Sequence, residues 1–355
     1  MTNTDKLVLV TGGSGFVGGH CIARLLQKGY NVRTTLRSLE GKGKITAALT
    51  ANGITSFDNL SFMEAELTKD DNWEEVMKGC NYVLSVASPV FFDMPKDENE
   101  AIRPALEGIT RILKFARNAG VKRVVMTSNF GAVGFSQTDK GRETTEADWT
   151  DPDLKGLSIY EKSKLLAERA AWEFITREGG SLEFTTINPV AIFGPPLNEH
   201  VSGSFDILKH MLDGTWKVVP PIPLNIVDVR DVADLHIRAM ENPGANGQRF
   251  IASADGQISM PEIAAFLKKT RPEAAEKVSA KTVPTFVIKL SALFNAQAKQ
   301  GAMFINMNRK VSNAKAKNIL GWEPIASQEE TILASVDSMI KFNLINKNNN
   351  ADKNN

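Results

Sequence analysis

One short stretch near the start of the chain, Thr11-Gly12-Gly13-Ser14-Gly15-Phe16-Val17-Gly18, constrains the fold more than any other feature of the sequence. It follows a brief apolar run, Lys6–Val10, and leads into Phe16–Lys28, where apolar residues recur with helical period. A strand, a glycine loop and a helix in that order suit a nucleotide diphosphate. Gly12 allows the tight turn, Gly15 lets a pyrophosphate approach the backbone, and Gly18 lets the helix pack close to the sheet. The helix start offers unpaired N–H groups and a partial positive charge to the phosphates. Gly12, Gly15, Phe16, Val17 and Gly18 are therefore the first candidate cofactor contacts.

The end of the second strand selects the dinucleotide. An NAD site usually places an acid there, about twenty residues beyond the glycines, against the ribose hydroxyls. This chain has Leu36-Arg37-Ser38, with Lys42 and Lys44 close behind. A carboxylate would repel a 2′-phosphate, whereas Arg37 can clamp one with paired, charge-assisted hydrogen bonds. NADP(H) is the expected cofactor, with Lys44 as a further candidate contact. Lys42 and Lys44 also read as ordinary solvated cations.

The remaining organisation follows from alternation. Asn31–Leu36, Leu60–Met63, Tyr82–Val86, Arg123–Thr127 and Glu183–Asn188 read as further strands. Helical patterns cover Glu98–Ala119 and Ser158–Arg177. This predicts an α/β protein with a Rossmann-type, doubly wound parallel sheet and helices on both faces. After Pro189 the rhythm breaks at Gly194, Pro195 and Pro196. Asn225–Val229 and Asp231–Met240 look like one more strand and helix returning to the first unit. The expected division is a dinucleotide-binding domain over 1–190, with 225–245 rejoining it. A smaller, mixed substrate domain takes 191–224 and 246–345, and 346–355 forms a disordered tail rich in Asn and Lys. Thr285–Asn295 is apolar but short and interrupted by Lys289, which favours core or pocket lining over a membrane helix.

Composition removes several functions. A formal net charge of +1 gives no general attraction for nucleic acid or an anionic membrane. Cys21 and Cys80 form no metal-binding pair, and His200 and His210 are too far apart for a one-turn ligand pair, so no metal is expected. The latter two histidines read as surface residues. Without a basic-then-apolar leader or a long apolar run, the expected compartment is the cytoplasm. The expected state is a monomer or homodimer with a small-molecule partner.

Tyr160-Glu161-Lys162-Ser163-Lys164 carries the chemistry. Four-residue spacing near the start of a helix puts Tyr160 and Lys164 on one face. An ammonium beside a phenol favours the phenolate and draws its pKa down. Such a phenol can protonate a carbonyl oxygen while hydride arrives from a nicotinamide. Leu166, Ala170 and Phe174 fall on another face and suit packing. The span His200–Asn225 is rich in Phe205, Ile207, Leu208, Met211, Leu212 and Trp216, which fits either helix core or an apolar pocket for an uncharged aldehyde or ketone.

Together these residues resemble the extended short-chain dehydrogenase/reductases, and within them the dihydroflavonol 4-reductase-like group. The resemblance covers most of the chain, to about residue 343. It rests on Thr11–Gly18, Val86-Ala87-Ser88-Pro89, Val124–Ser128, Tyr160–Lys164, Asn188-Pro189-Val190, Val227–Val232 and Leu320–Pro324. It implies that Ala87, Ser88 and Pro89 line the nicotinamide ribose and that Pro189, Val190 and Ile192 flank the nicotinamide ring. Two departures stand out. The group usually ends its fifth strand Thr-Ser-Ser, the second serine binding the substrate carbonyl; here the run is Thr127-Ser128-Asn129. Either Asn129 donates through its amide or Ser128 takes the role. Near the adenine, Glu66-Leu67 replaces the usual Asp-Leu. The expected activity is NADPH-dependent reduction of an aldehyde or ketone with Tyr160 as proton donor. A nucleotide-sugar epimerase or dehydratase of the same fold, and a non-catalytic NADP-binding sensor, are the rival readings.

Overall fold

Each of the six N-terminal runs that read as strands from their apolar pattern forms one, because parallel strands covered on both faces need near-continuous apolar sequence. The computed structural model describes residues 3–88 and 97–345. Pro89 and the expected tail at 346–355 lie outside the described residues.

The chain runs through β1 (Leu7–Val10), α1 (Phe16–Gln27), β2 (Asn31–Leu36), α2 (Lys42–Ala51), β3 (Leu60–Glu64) and α3 (Trp73–Met77). It continues with β4 (Tyr82–Ser85), α4 (Glu98–Asn118), β5 (Arg123–Thr127), α5 (Ile159–Glu178), β6 (Glu183–Pro189) and β7 (Ala191–Phe193). Next come α6 (Phe205–Leu212), β8 (Pro223–Leu224), β9 (Ile226–Asp228), α7 (Val229–Glu241), β10 (Gln248–Ala252), β11 (Ile258–Ser259) and α8 (Met260–Thr270). The last elements are α9 (Thr285–Ser291), α10 (Ala296–Asn306), α11 (Ala314–Leu320) and α12 (Gln328–Lys341).

Seven parallel strands form the main sheet in the order β10-β6-β5-β4-β1-β2-β3. Every residue of β4 and β5 is buried. One face of the sheet packs on α1 and α7, the other on α3, α4 and α5. The reversal of strand order lies between β1 and β4, where crossovers diverge and leave a crevice at the strand ends.

The structure corrects one assignment. Ile226–Asp228 does not join the main sheet; it pairs with β7 in a separate two-stranded sheet. Helix α7 does return, packing on α1. The seventh strand is instead Gln248–Ala252, placed with the second unit by sequence pattern, and it pairs with β6. Its polar opening hid it: Arg249 is 7% exposed yet lies in the sheet, because Glu168 pairs with it there.

Arg123 opens β5 for a related reason. Its side chain is 1% exposed, ion-paired to Glu183, and donates to the carbonyls of Ala239, Met240 and Asn242. It thereby satisfies the open carbonyls at the end of α7 and ties that helix to the sheet. At the other end of α7, Asp231 accepts from Trp322 Nε1 at 3.0 Å and from the Ile325 amide at 3.1 Å, anchoring the segment before α12.

Two buried histidines make this fold acid-sensitive. His236 Nδ1 faces the Val232 carbonyl at 2.7 Å and must donate to it, so Nε2 accepts from Thr127 Oγ1 at 2.7 Å. Burial holds His236 at about 4 and His20 at about 4, against an ordinary 6.5. Below pH 6.5 the unfolded chain takes up protons that the folded one refuses, so stability falls from pH 6.5 down to about 4. At about 1.4 kcal/mol for each pH unit between folded and unfolded pKa, each histidine accounts for roughly 3 kcal/mol. Asp231, raised by burial to about 6, and Glu146 and Glu161, also raised by burial, act oppositely. The paired carboxyls of Asp148, Asp255 and Asp337 are held low and add to the loss in acid. Urea unfolding across this range is expected to show a falling free energy, with His236→Gln flattening the slope by about one proton. An unchanged slope in that variant would show that His236 is not the sensor.

Candidate active site

Thr11 leaves β1 buried and locks two segments together. Its Oγ1 accepts from the Val86 and Ala87 amides, both at 3.0 Å, and its own amide donates to Leu84 at 3.0 Å. The glycine loop is thus tied to the chain leaving β4. Gly12 has φ +71°, and a Cβ there would come within 3.1 Å of Ala87. At Gly18 a Cβ would lie 2.2 Å from the Gly12 carbonyl, so no side chain fits. Gly13, to which the sequence reading gave no role, is equally closed: its Cβ would meet Thr34 Oγ1 at 2.2 Å. Gly15 caps α1 in an exposed position with its nearest neighbour 3.3 Å from a Cβ, leaving the helix start open.

A single cleft of about 2120 Å³ opens from this loop across the strand ends. Gly12, Gly15, Phe16, Val17, Gly18, Arg37, Glu66, Leu67, Ala87 and Ser88 line one end of it. Arg37, at the end of β2, is exposed and makes no ion pair among the described residues. Glu66 is held low by hydrogen bonds from Lys69 and Thr68, with a smaller contribution from Arg37. Lys44 sits exposed in the first turn of α2, outside the lining of the cleft. Pro89 falls outside the described residues.

The middle of the cleft is lined by Ser128, Asn129, Tyr160 and Lys164, with Pro189, Val190 and Ile192 on the adjoining strands. Helix α5 positions the pair. Ser158 and Glu161 form a reciprocal capping box at its start, so the helix begins one residue before the tyrosine. Tyr160 is 52% exposed, its ring opening into the cleft. Lys164 is 6% exposed and makes no hydrogen bond or ion pair among the described residues. Burial alone brings its pKa down to about 8. The expected depression of the Tyr160 pKa does not appear. The phenol is pushed up, first by burial and then by the Glu161 carboxylate. The packing face also differs from the periodic reading: Leu165, Glu168 and Ala171 are fully buried, while Leu166 and Ala170 are only half-buried.

Glu168, a turn beyond Lys164 at the same spacing, is the residue that sequence reasoning missed. It is fully buried and accepts from Ser128 Oγ at 2.5 Å, Asn188 Nδ2 at 2.7 Å, Arg249 Nε at 2.7 Å and Thr186 Oγ1 at 3.1 Å. The repeat Tyr160, Lys164, Glu168 was the available signal. Ser128 is therefore occupied as a donor. Asn129 is not: its Oδ1 accepts from the Ala132 amide at 3.1 Å, which leaves the Nδ2 hydrogens without a partner among the described residues, on a cleft-lining side chain.

The far wall comes from the second half of the chain. Helix α6 divides its apolar residues, with Phe205, Leu208, Met211 and Leu212 buried in the core while Ile207 lines the cleft. Trp216, beyond the helix, lines it too, its ring tilted against that of His210 with centroids 5.6 Å apart. His200 is exposed, in keeping with the surface position expected of it, His210 is half-buried, and both border the cleft. Val287 and Ile288 of α9 complete the lining, whereas Phe286 and Leu290 are 69% and 61% exposed. Arg309 also lines this wall. Among the described residues there is no cluster of metal ligands and no helix long and apolar enough to cross a membrane.

A family model described as the NAD dependent epimerase/dehydratase family matches residues 8–252. Anthocyanidin reductase ((2S)-flavan-3-ol-forming) of Vitis vinifera is 32% identical over 283 residues, 76% of this chain and 82% of that one. Dihydroflavonol 4-reductase of Zea mays is 33% identical over 276 residues, 75% of this chain and 74% of that one. Among solved structures, yeast methylglyoxal/isovaleraldehyde reductase Gre2 complexed with NADPH has a TM-score of 0.77 at 26% identity, covering 96% of this chain and 99% of that one.

Removing the Glu168 charge tests how much the site depends on it. Glu168→Gln strands the Arg249 guanidinium and is expected to cost roughly 3–5 kcal/mol in denaturant unfolding. Adding Arg249→Met is expected to cost less than the sum of the single changes. Simple additivity would mean that the pair is not coupled.

Proposed function

Because this chain belongs to the NAD dependent epimerase/dehydratase family, we propose that it is an NADPH-dependent reductase that converts the carbonyl of a small organic substrate to an alcohol. The observation that carries this reading is that Gly15 and Arg37, Tyr160 and Lys164, and Asn129 all line one cleft. An open helix start and an unpaired guanidinium at the end of β2 fit the pyrophosphate and the 2′-phosphate of NADPH. Similarity to reductases, one of them solved with NADPH, supports the same choice. Ala87 and Ser88 would border the nicotinamide ribose, and Pro189, Val190 and Ile192 the ring. When bound, NADPH supplies the hydride.

The protein's own residues handle the oxygen. Tyr160 gives its phenolic proton to the carbonyl oxygen as that oxygen gains charge. A phenol whose pKa is pushed up stays protonated at neutral pH, which suits reduction. Lys164, carrying an uncompensated charge over most of the neutral range, stabilises the phenolate left behind. Asn129 Nδ2 donates to the same oxygen, the role that a serine holds in the resembling group. Ser128 holds Glu168 and supports the strand end.

Tyr160→Phe is expected to lower turnover by roughly a hundredfold or more while leaving NADPH binding intact. Asn129→Ala should lower kcat by about a hundredfold, and Asn129→Ser should restore much of it. Stopped-flow and steady-state assays over a panel of aldehydes and ketones provide the readout. Full activity in Tyr160→Phe would end the proposed mechanism.

Arg37 is tested by cofactor titration. Arg37→Asp is expected to weaken NADPH far more than NADH, because the new carboxylate repels only the 2′-phosphate. Equal losses for both cofactors would remove the NADPH assignment.

A further inference from the structure

Three arginine side chains are wholly or partly buried around the second half of the chain, and two are fully answered. Arg123 has Glu183 and four carbonyl groups. Arg249 has Glu168 and the carbonyls of Glu146 and Asp148, with Trp149 stacked 3.7 Å from its guanidinium. Arg309 has none of this. Its guanidinium makes no hydrogen bond and no ion pair among the described residues, and its Nε is shut off from solvent without a partner. Burial draws its pKa down to about 9 from 12.5.

Its backbone is anchored, and an aromatic ring lies beside its side chain. The Asn225 amide donates to the Arg309 carbonyl at 3.1 Å, and the guanidinium lies 5.7 Å from the Phe304 ring. Phe304 in turn packs edge-on against Phe135 at 5.3 Å. Lys140 adds repulsion and no relief, its ammonium being engaged with the Met307 carbonyl. The result is a half-buried cation on the wall of the cleft that Tyr160 and Asn129 also line, with its Nε shut off from water. An Nε–H without a partner is costly, and a carboxylate is the ligand group whose geometry matches a guanidinium in two parallel hydrogen bonds.

We infer that Arg309 is a specificity-determining residue and that the substrate class is an oxo acid, its carboxylate paired with Arg309 while its carbonyl lies at Tyr160 and Asn129. This rests on the reductase reading and narrows it from carbonyl compounds in general to those carrying a carboxylate.

The test uses the NADPH-loaded protein with pyruvate, 4-oxopentanoate and 4-carboxybenzaldehyde, each against its own methyl ester. At least one acid is expected to exceed its ester in kcat/KM by about a hundredfold, mainly through KM. Arg309→Met should erase that preference without lowering turnover of the ester, and Arg309→Lys should restore part of it. NADPH affinity equal to that of the wild type serves as the folding control. In parallel, binding of the same acids and esters to the NADP⁺-loaded protein is followed by tryptophan fluorescence, since Trp216 lines the cleft. Acids that bind more tightly than esters in the wild type but not in Arg309→Met support the inference even if nothing turns over, in which case only the reductase reading fails. Esters reduced and bound as well as acids, with no effect of Arg309→Met, would overturn it.

Discussion

The buried Glu168 carboxylate is the interaction on which the site most depends. It lies on α5, which carries Tyr160 and Lys164, and it binds the end of β5 through Ser128, β6 through Thr186 and Asn188, and β10 through Arg249. One charge, removed from water and fully hydrogen-bonded, thus fixes the proposed catalytic helix against three strands of the sheet. Asn188 carries the connection further by donating to the Asn129 carbonyl at 3.2 Å. A network of this kind rigidifies because every member would be left unsatisfied by a small displacement.

The other end of the cleft is held by close approach. Thr11 ties the glycine loop to the chain beyond β4, and Gly12, Gly13 and Gly18 stand where a Cβ would collide with backbone or with Thr34. Only Gly15 and its neighbours at the start of α1 stay open. The same spacing that permits tight packing therefore leaves one free surface, at the helix end where anions are favoured.

Charge inside the protein is distributed with a clear division. Cations away from the cleft are neutralised, as at Arg123 and Arg249. Three cations that line the cleft have no ion-pair partner among the described residues: Arg37 at one end, Lys164 in the middle and Arg309 on the far wall. A groove lined in this way is complementary to a ligand set that carries anionic groups.

Much of this was legible in the sequence. The glycine loop, six strands of the main sheet, Arg37 and the Tyr160/Lys164 pair all follow from local signals: period, turn chemistry and fixed spacing along a helix. The sequence by itself determined the doubly wound sheet and the position of the phosphate loop, because parallel strands and tight turns accept few residue types. Tertiary structure alone decided the rest. Gln248–Ala252 takes its place as the seventh strand with Arg249 neutralised by Glu168, and Asn129 was distinguished from Ser128 only by which donor Glu168 and Ala132 leave free. Burial, not spacing, decided the acidity of Lys164. Arg309, silent in the sequence, acquires meaning only from the partners it lacks, since the cost of a charge depends on what surrounds it in space.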